Sequence, residues 1–356
     1  MNSFRRGLRD RTPLALVAAL ALLVPALLGF QWLFTSGVWT AMPLERVLRS
    51  DKDSFTFISW TVAKVRRQPP GTPGVYLLGG SSARDSIVSG DALAAEIERL
   101  GGPRVAAYDF GSINQDFAQS LAVVDNVPDT PAWLLVGVNL GRFTATREEN
   151  AEQAEGRDLL LDSSAVRSFV SAKWGLEKRR QTILPGIWAY LTDWARRRGA
   201  DVLSGSLPST GYRLHQYSAA TRLSDSQKER LVTMWITSRK PVFEHNLEAN
   251  LQMLDELLAQ ARERGVHVVL LEQPLNEQVV GDRLAAPQRQ YQEPVTALAH
   301  KYGVPYVDLN QTVAIPSRDF QDLSHLIGPG RAIWQHALAE ELAPLIRTED
   351  AGGSSG

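Results

Sequence analysis

The chain contains no cysteine. Disulfides, thiolate metal sites and a cysteine nucleophile are therefore excluded. It also lacks an excess of charge of one sign. With 38 basic and 39 acidic residues the net charge is −1, and nothing in that balance points to nucleic acid as a partner. Histidine is scarce, and His215, His245, His267, His300 and His336 show no paired metal-ligand spacing. Neither a metal nor a cofactor is expected. Internal repeats are missing, and long hydrophobic runs are missing but for one.

That one run covers residues 13–34. It is uncharged, rich in Ala, Leu and Val, and long enough to cross a bilayer as a helix. Arg5, Arg6, Arg9 and Arg11 precede it. The positive-inside rule places these in the cytoplasm and everything after the run outside. The expectation is a cytoplasmic stretch 1–12, a signal anchor 13–34 and a juxtamembrane connector 35–73, which closes on the Pro/Gly cluster at 69–74. The protein is then a single-pass cell-membrane protein with an extracytoplasmic domain. A cleaved signal peptide is the rival reading of the same run.

Beyond residue 73, short apolar runs alternate with helical patterns. Strands are expected at 75–78, 105–110, 133–136, 266–271 and 305–308. Helices are expected at 87–100, 115–124, 247–264, 287–302 and 329–346. Strands alternating with helices imply an α/β fold with a parallel sheet covered on both faces, its ligands at the carboxyl ends of the strands. The expected domain is 74–347. Between 143 and 241 the alternation breaks into a polar stretch with Trp174, Trp188, Trp194 and Trp235 and two basic runs, 178–180 and 196–198. It reads as a mostly helical insertion or cap. Residues 348–356 read as a flexible tail.

Several residues at or near the strand ends have catalytic chemistry. Gly79-Gly80-Ser81-Ser82 follows the first strand, and Asp322-Leu323-Ser324-His325 stands far downstream. A serine hydroxyl needs a histidine to take its proton, and the histidine needs a carboxylate to fix its tautomer. The order Ser…Asp…His supplies all three. Physical chemistry alone does not choose between Ser81 and Ser82. Gly111, after the second strand, can offer a backbone N–H to an oxyanion, and Asn139, after the third, a side-chain amide. No Gly-x-Ser-x-Gly surrounds the serines, so an α/β-hydrolase elbow is not supported. Arg84 and Glu272 are weaker candidates for substrate binding.

These blocks resemble those of the SGNH (GDSL-like) hydrolase superfamily. Gly80-Ser81-Ser82 is similar to its Gly-Asp-Ser block, Gly111 to its second-block glycine, Gly137-Val138-Asn139 to its Gly-x-Asn block, and Asp322 with His325 to its last block. The resemblance covers residues 75–346 apart from the insertion. It implies a flavodoxin-like three-layer α/β/α fold with a five-stranded parallel sheet. It implies Ser82 as nucleophile, with His325 as base and Asp322 as its orienter. The oxyanion hole is then Ser82 N–H, Gly111 N–H and the Asn139 amide. Ser81 replaces the usual Asp, and Leu140 the Asp that often follows the Asn. Single anchor and Gly-Ser-Ser together resemble membrane-anchored proteins of envelope-polymer O-acylation, such as the D-alanyl transfer protein of teichoic acid modification and the alginate acetylation proteins. The implied activity is a serine esterase or O-acyltransferase acting through an acyl-serine on cell-envelope or exported polysaccharide. An acyl donor and a membrane-bound O-acyltransferase are the implied partners. The alternatives are a non-catalytic scaffold that binds glycan or such an acyltransferase, and a lipase or thioesterase.

Overall fold

A computed structural model describes residues 13–128, 131–176, 182–203 and 211–352. The longer elements run α1 (Pro13–Thr35), α2 (Ser54–Arg67), β1 (Gly74–Gly79), α3 (Ser81–Arg84), α4 (Gly90–Arg99), β2 (Ala106–Gly111), α5 (Phe117–Val124), β3 (Ala132–Val138), α6 (Ser164–Trp174), α7 (Leu184–Leu203), α8 (Asp225–Met234), α9 (Lys240–Glu263), β4 (His267–Glu272), α10 (Ala285–Tyr302), β5 (Tyr306–Val307) and α11 (Gly328–Gly352). Shorter helical turns are named by residue.

All five strands are parallel, in the order β2-β1-β3-β4-β5. β1 and β3 are buried along their whole length, as expected of parallel strands packed on both faces. Because side chains alternate along a strand, each strand feeds two cores. Tyr76, Leu78, Leu134, Val136, Val268 and Leu270 meet apolar residues of α2, α5, α9 and α10. Val75, Leu77, Trp133, Leu135, Val269 and Leu271 meet those of α4 and α11. The chain reverses direction of strand addition between β1 and β3. In open parallel sheets the loops part at that point and leave a crevice at the carboxyl ends.

α1 is long and apolar enough to cross a membrane, with Leu22, Leu28 and Trp32 exposed. Membrane anchors and signal sequences share that length and composition. Residues 1–12, expected in the cytoplasm, lie outside the described residues.

The segment 35–73 is more than a connector. Asp53 caps α2 by accepting the Thr56 N–H at 3.2 Å, and Ile58, Val62 and Val65 at helical spacing enter the main core. The insertion 143–241 is mostly helical and is bound to the rest of the domain. Lys228 on α8 is fully buried, and its ammonium donates to the Ser317 carbonyl at 2.6 Å and hydroxyl at 3.0 Å. Leu223 N–H donates to the Gln321 carbonyl at 3.0 Å. The basic run 178–180 lies outside the described residues. α11 continues to Gly352, past the expected start of the tail.

Glu272 ends β4 deep in the protein. Its carboxyl accepts hydrogen bonds from the Tyr291 and Tyr306 hydroxyls. Burial outweighs those bonds and pushes its pKa up to about 8. A carboxyl raised from 4.5 holds its proton in the folded protein where the unfolded chain has lost it. That contribution to stability is fully present below pH 4.5 and is lost as pH rises through about 8. Glu272→Gln mimics the protonated form. Urea unfolding from pH 5 to 9 should therefore show the variant gaining on wild type by a few kcal/mol, with the two alike at the acid end.

Candidate functional site

β1 stops at Gly79, which has φ +151°, and a Cβ there would lie 2.7 Å from the Ala83 Cβ. Lack of a side chain lets α3 turn back tightly over the strand end. Gly80 is the residue before the helix, so Ser81 is the first helical residue and Ser82 the second. One residue of helix is a turn of about 100°, and the two hydroxyls go to different partners. Ser81 Oγ stands 2.8 Å from His325 Nε2. Ser82 Oγ accepts the Asn139 amide at 2.7 Å. The serine that meets the histidine is therefore Ser81, and not Ser82 as expected. Gly79-Gly80-Ser81 also reads Gly-x-Ser, one residue earlier than the block chosen from the sequence.

His325 Nδ1 lies 2.8 and 2.9 Å from the two oxygens of Asp322. Asp322 Oδ1 also accepts the backbone N–H groups of Ser324 and His325, each at 3.0 Å. Burial works to raise the Asp322 pKa. The His325 hydrogen bond and charge, with the two backbone donors, outweigh it and hold the carboxyl below its ordinary value. The loop itself is a tight reversal, with an antiparallel bridge from Phe320 to Leu326 and Gln321 N–H donating to the His325 carbonyl at 2.8 Å. Buried Asn276 clamps it, its backbone N–H on the Leu323 carbonyl at 2.8 Å. Against the imidazole stands the Tyr217 ring, edge-on with centroids 5.2 Å apart. Tyr217 comes from the insertion, and no motif in the sequence marks it.

Gly111 does not take the role expected of it. Its N–H donates to Asp109 Oδ1 at 3.0 Å. A Cβ there would sit 2.7 Å from the Arg84 backbone nitrogen, so this glycine permits close packing of α3 on β2. Three residues on, Asn114 is the one non-glycine residue with positive φ among those described, at 52°, and it lines the same cavity as Ser81, Ser82, Asn139 and His325. Asparagine tolerates that conformation better than most side chains. Its backbone N–H has no acceptor among the described residues.

Arg84 and Glu272 are likewise corrected. Arg84 is buried beside Asp85, 3.1 Å away, and does not line the cavity. Glu272 faces Tyr291 and Tyr306 in the core. Neither reaches the serine, because each follows a backbone path that turns its side chain into the fold.

The cavity has a volume of about 660 Å³. Ser81 and His325 lie in it, as do Asp116, Glu149 and Asp158, and Trp235 and Arg239 come from a π-helical turn between α8 and α9. Burial raises Asp116 to about 7, with Asp158 and Glu149 adding to the shift and the Gln119 N–H and Arg142 opposing it. Below lies Arg142, fully enclosed and pushed down to about 9 by burial, Asp116 opposing. Its guanidinium donates to the carbonyls of Gln115, Gly137 and Asp116 and to the Ser120 hydroxyl, at 2.7–3.2 Å. No group of His, Asp and Glu among the described residues is arranged to hold a metal ion.

No family model matches this chain, and no curated protein matches it.

Arg142→Leu would strand three buried carbonyls at the floor of the site. We expect a loss of about 3 kcal/mol or more in urea unfolding, whereas Arg239→Leu at the exposed rim should stay within about 0.5 kcal/mol of wild type.

Proposed function

We propose that the protein is a serine esterase or O-acyltransferase of the SGNH type, with the flavodoxin-like three-layer arrangement of that superfamily. The observation that carries this reading is the unbroken chain Ser81–His325–Asp322, with distances of 2.8 Å at each link, set in a cavity at the switch point of a parallel sheet. Hydrogen bonds that an activated serine needs are already made in the free protein.

The residues have these roles. Ser81 Oγ attacks the acyl carbonyl while its proton passes to His325 Nε2. Asp322 holds the Nδ1–H tautomer and stabilises the imidazolium. The Asn139 amide has a second hydrogen beyond the one given to Ser82, and with the backbone N–H of Asn114 it supplies donors for the oxyanion. Collapse of the tetrahedral intermediate breaks the ester C–O bond, and His325 returns the proton to the leaving alkoxide. The acyl-Ser81 ester is then cleaved by water or by a sugar hydroxyl, again with His325 as base. Carboxylates along the cavity and Trp235 at its rim suit a neutral, hydroxyl-rich acceptor, which favours a polysaccharide. With α1 as anchor and four arginines before it, the catalytic domain lies outside the membrane, at the cell envelope.

Fluorophosphonate labelling of the full-length protein in detergent tests the assignment, with p-nitrophenyl acetate turnover beside it. Ser81→Ala should abolish both. Ser82→Ala should keep the label. Retained labelling in Ser81→Ala together with loss in Ser82→Ala would restore the sequence-based assignment, and labelling in neither folded wild type nor variants would sink the enzyme reading. Asp322→Asn should lower kcat on the order of 10³–10⁴-fold. Asn139→Ala should lower it about 10²-fold or more with little change in KM.

A further inference from the structure

Two features tie the catalytic part of the chain to the end of α1. α7 packs its Ile187, Tyr190 and Leu191 into a cluster with Leu33, Phe34 and Trp39. The Phe34 and Tyr190 rings meet edge-on with centroids 6.0 Å apart. Farther along α7, the Trp194 indole donates to the Arg46 carbonyl at 3.0 Å and the Arg198 guanidinium to that of Leu48 at 3.1 Å. This face of α7 is fully engaged. Its opposite face carries exposed Pro185, Trp188, Ala189 and Thr192, followed one turn later by exposed Arg196, which pairs with Asp193, with Trp188 69% exposed. Trp188 lies two residues, less than one helical turn, from Tyr190, which packs on Phe34 at the end of α1. A largely exposed indole is costly in water and favourable at a bilayer interface, where tryptophan gathers at the ends of spans. Trp32, 61% exposed near the end of α1, occupies such a position itself.

The second feature is α2. At its carboxyl end Arg66 donates to the Thr35 carbonyl at 2.6 Å and Arg67 to that of Gly37 at 3.1 Å. Near its amino end Phe55 lines the cavity that holds Ser81. The helix therefore runs from the end of α1 to the catalytic cavity. At 1.5 Å per residue, Phe55 to Arg66 spans about 17 Å.

We propose that the Trp188 face of α7 rests in the headgroup layer of the bilayer that α1 crosses, so that α2 holds the cavity at a fixed height of at most about 17 Å above the span. The proposal rests on α1 being a retained membrane span. Two contacts at separate points, α1 itself and the Trp188 face, remove the free rotation that a single anchor leaves. A site held at that height meets acceptors and acyl donors close to the membrane surface, and long soluble polymer only where it passes there.

The test uses the full-length chain in nanodiscs. Tryptophan emission is compared between ordinary phosphatidylcholine and phosphatidylcholine brominated near the glycerol end of the acyl chains. The Trp188 signal is the difference between wild type and Trp188→Phe, and the Trp32 signal the difference between wild type and Trp32→Phe. Both residues are exposed, so both variants keep the core intact. We expect bromolipid to lower each difference signal roughly twofold or more. A quenched Trp32 with an unquenched Trp188 would overturn the proposal and leave the span in place. An unquenched Trp32 would overturn the membrane-span reading on which it rests.

Discussion

Three backbone segments leave the carboxyl edge of the sheet side by side, and their peptide groups must find partners where no further strand exists. Arg142 and Gln115 supply them. The Arg142 guanidinium bonds the Gly137 carbonyl in β3 and the Gln115 and Asp116 carbonyls after β2. Gln115 accepts the Gly79 N–H at 2.7 Å and donates to the Phe110 carbonyl at 2.7 Å, joining β1 to β2. Buried polar backbone left without partners costs more than each bond returns. These two side chains therefore decide whether the loops that carry Ser81, Asn114 and Asn139 share one geometry.

The positions of Ser81, Asn139 and His325 follow from that frame. Ser81 is held by the glycine turn at the end of β1, Asn139 by its own capping bond to the Arg142 N–H at 3.1 Å, and His325 by a loop that Asn276 and the insertion fasten. The insertion is usefully seen as a support. Lys228, Leu223 and Tyr217 all come from it, and each touches the chain that presents His325 or the ring itself. Water exclusion at the imidazole then depends on the same segment that shapes the rim of the cavity.

Buried carboxyl groups lie around this frame. Glu272, Asp109 and Asp116 are all raised, Asp109 to about 8. For each the largest cause is burial, and the opposing hydrogen bonds are too few to restore the ordinary value. A raised pKa near a strand end is a functional cue only when the group also faces a cavity. Asp116 does. Glu272 and Asp109 do not line it.

The amino-acid sequence by itself determined the strands and most of the helices. Continuous apolar runs and 3.6-residue periodicity are local properties, and each strand lies within two residues of its expected bounds. Absence of cysteine and the single apolar run were equally legible, as was the Asp322–His325 pair, whose spacing is closed within one turn. Only the tertiary structure decided which serine meets the histidine. Ser81 and Ser82 are chemically identical neighbours, and the choice is made by the angle at which α3 leaves β1 relative to a loop 240 residues away. Gly111 and Asn114 differ in the same way, because which N–H is left free depends on where the Asp109 side chain turns. Arg84 and Glu272 stand beside strand ends in the sequence and point into the fold in space. Tyr217 and Arg142 carry no motif at all. Their roles exist only once distant segments are packed together.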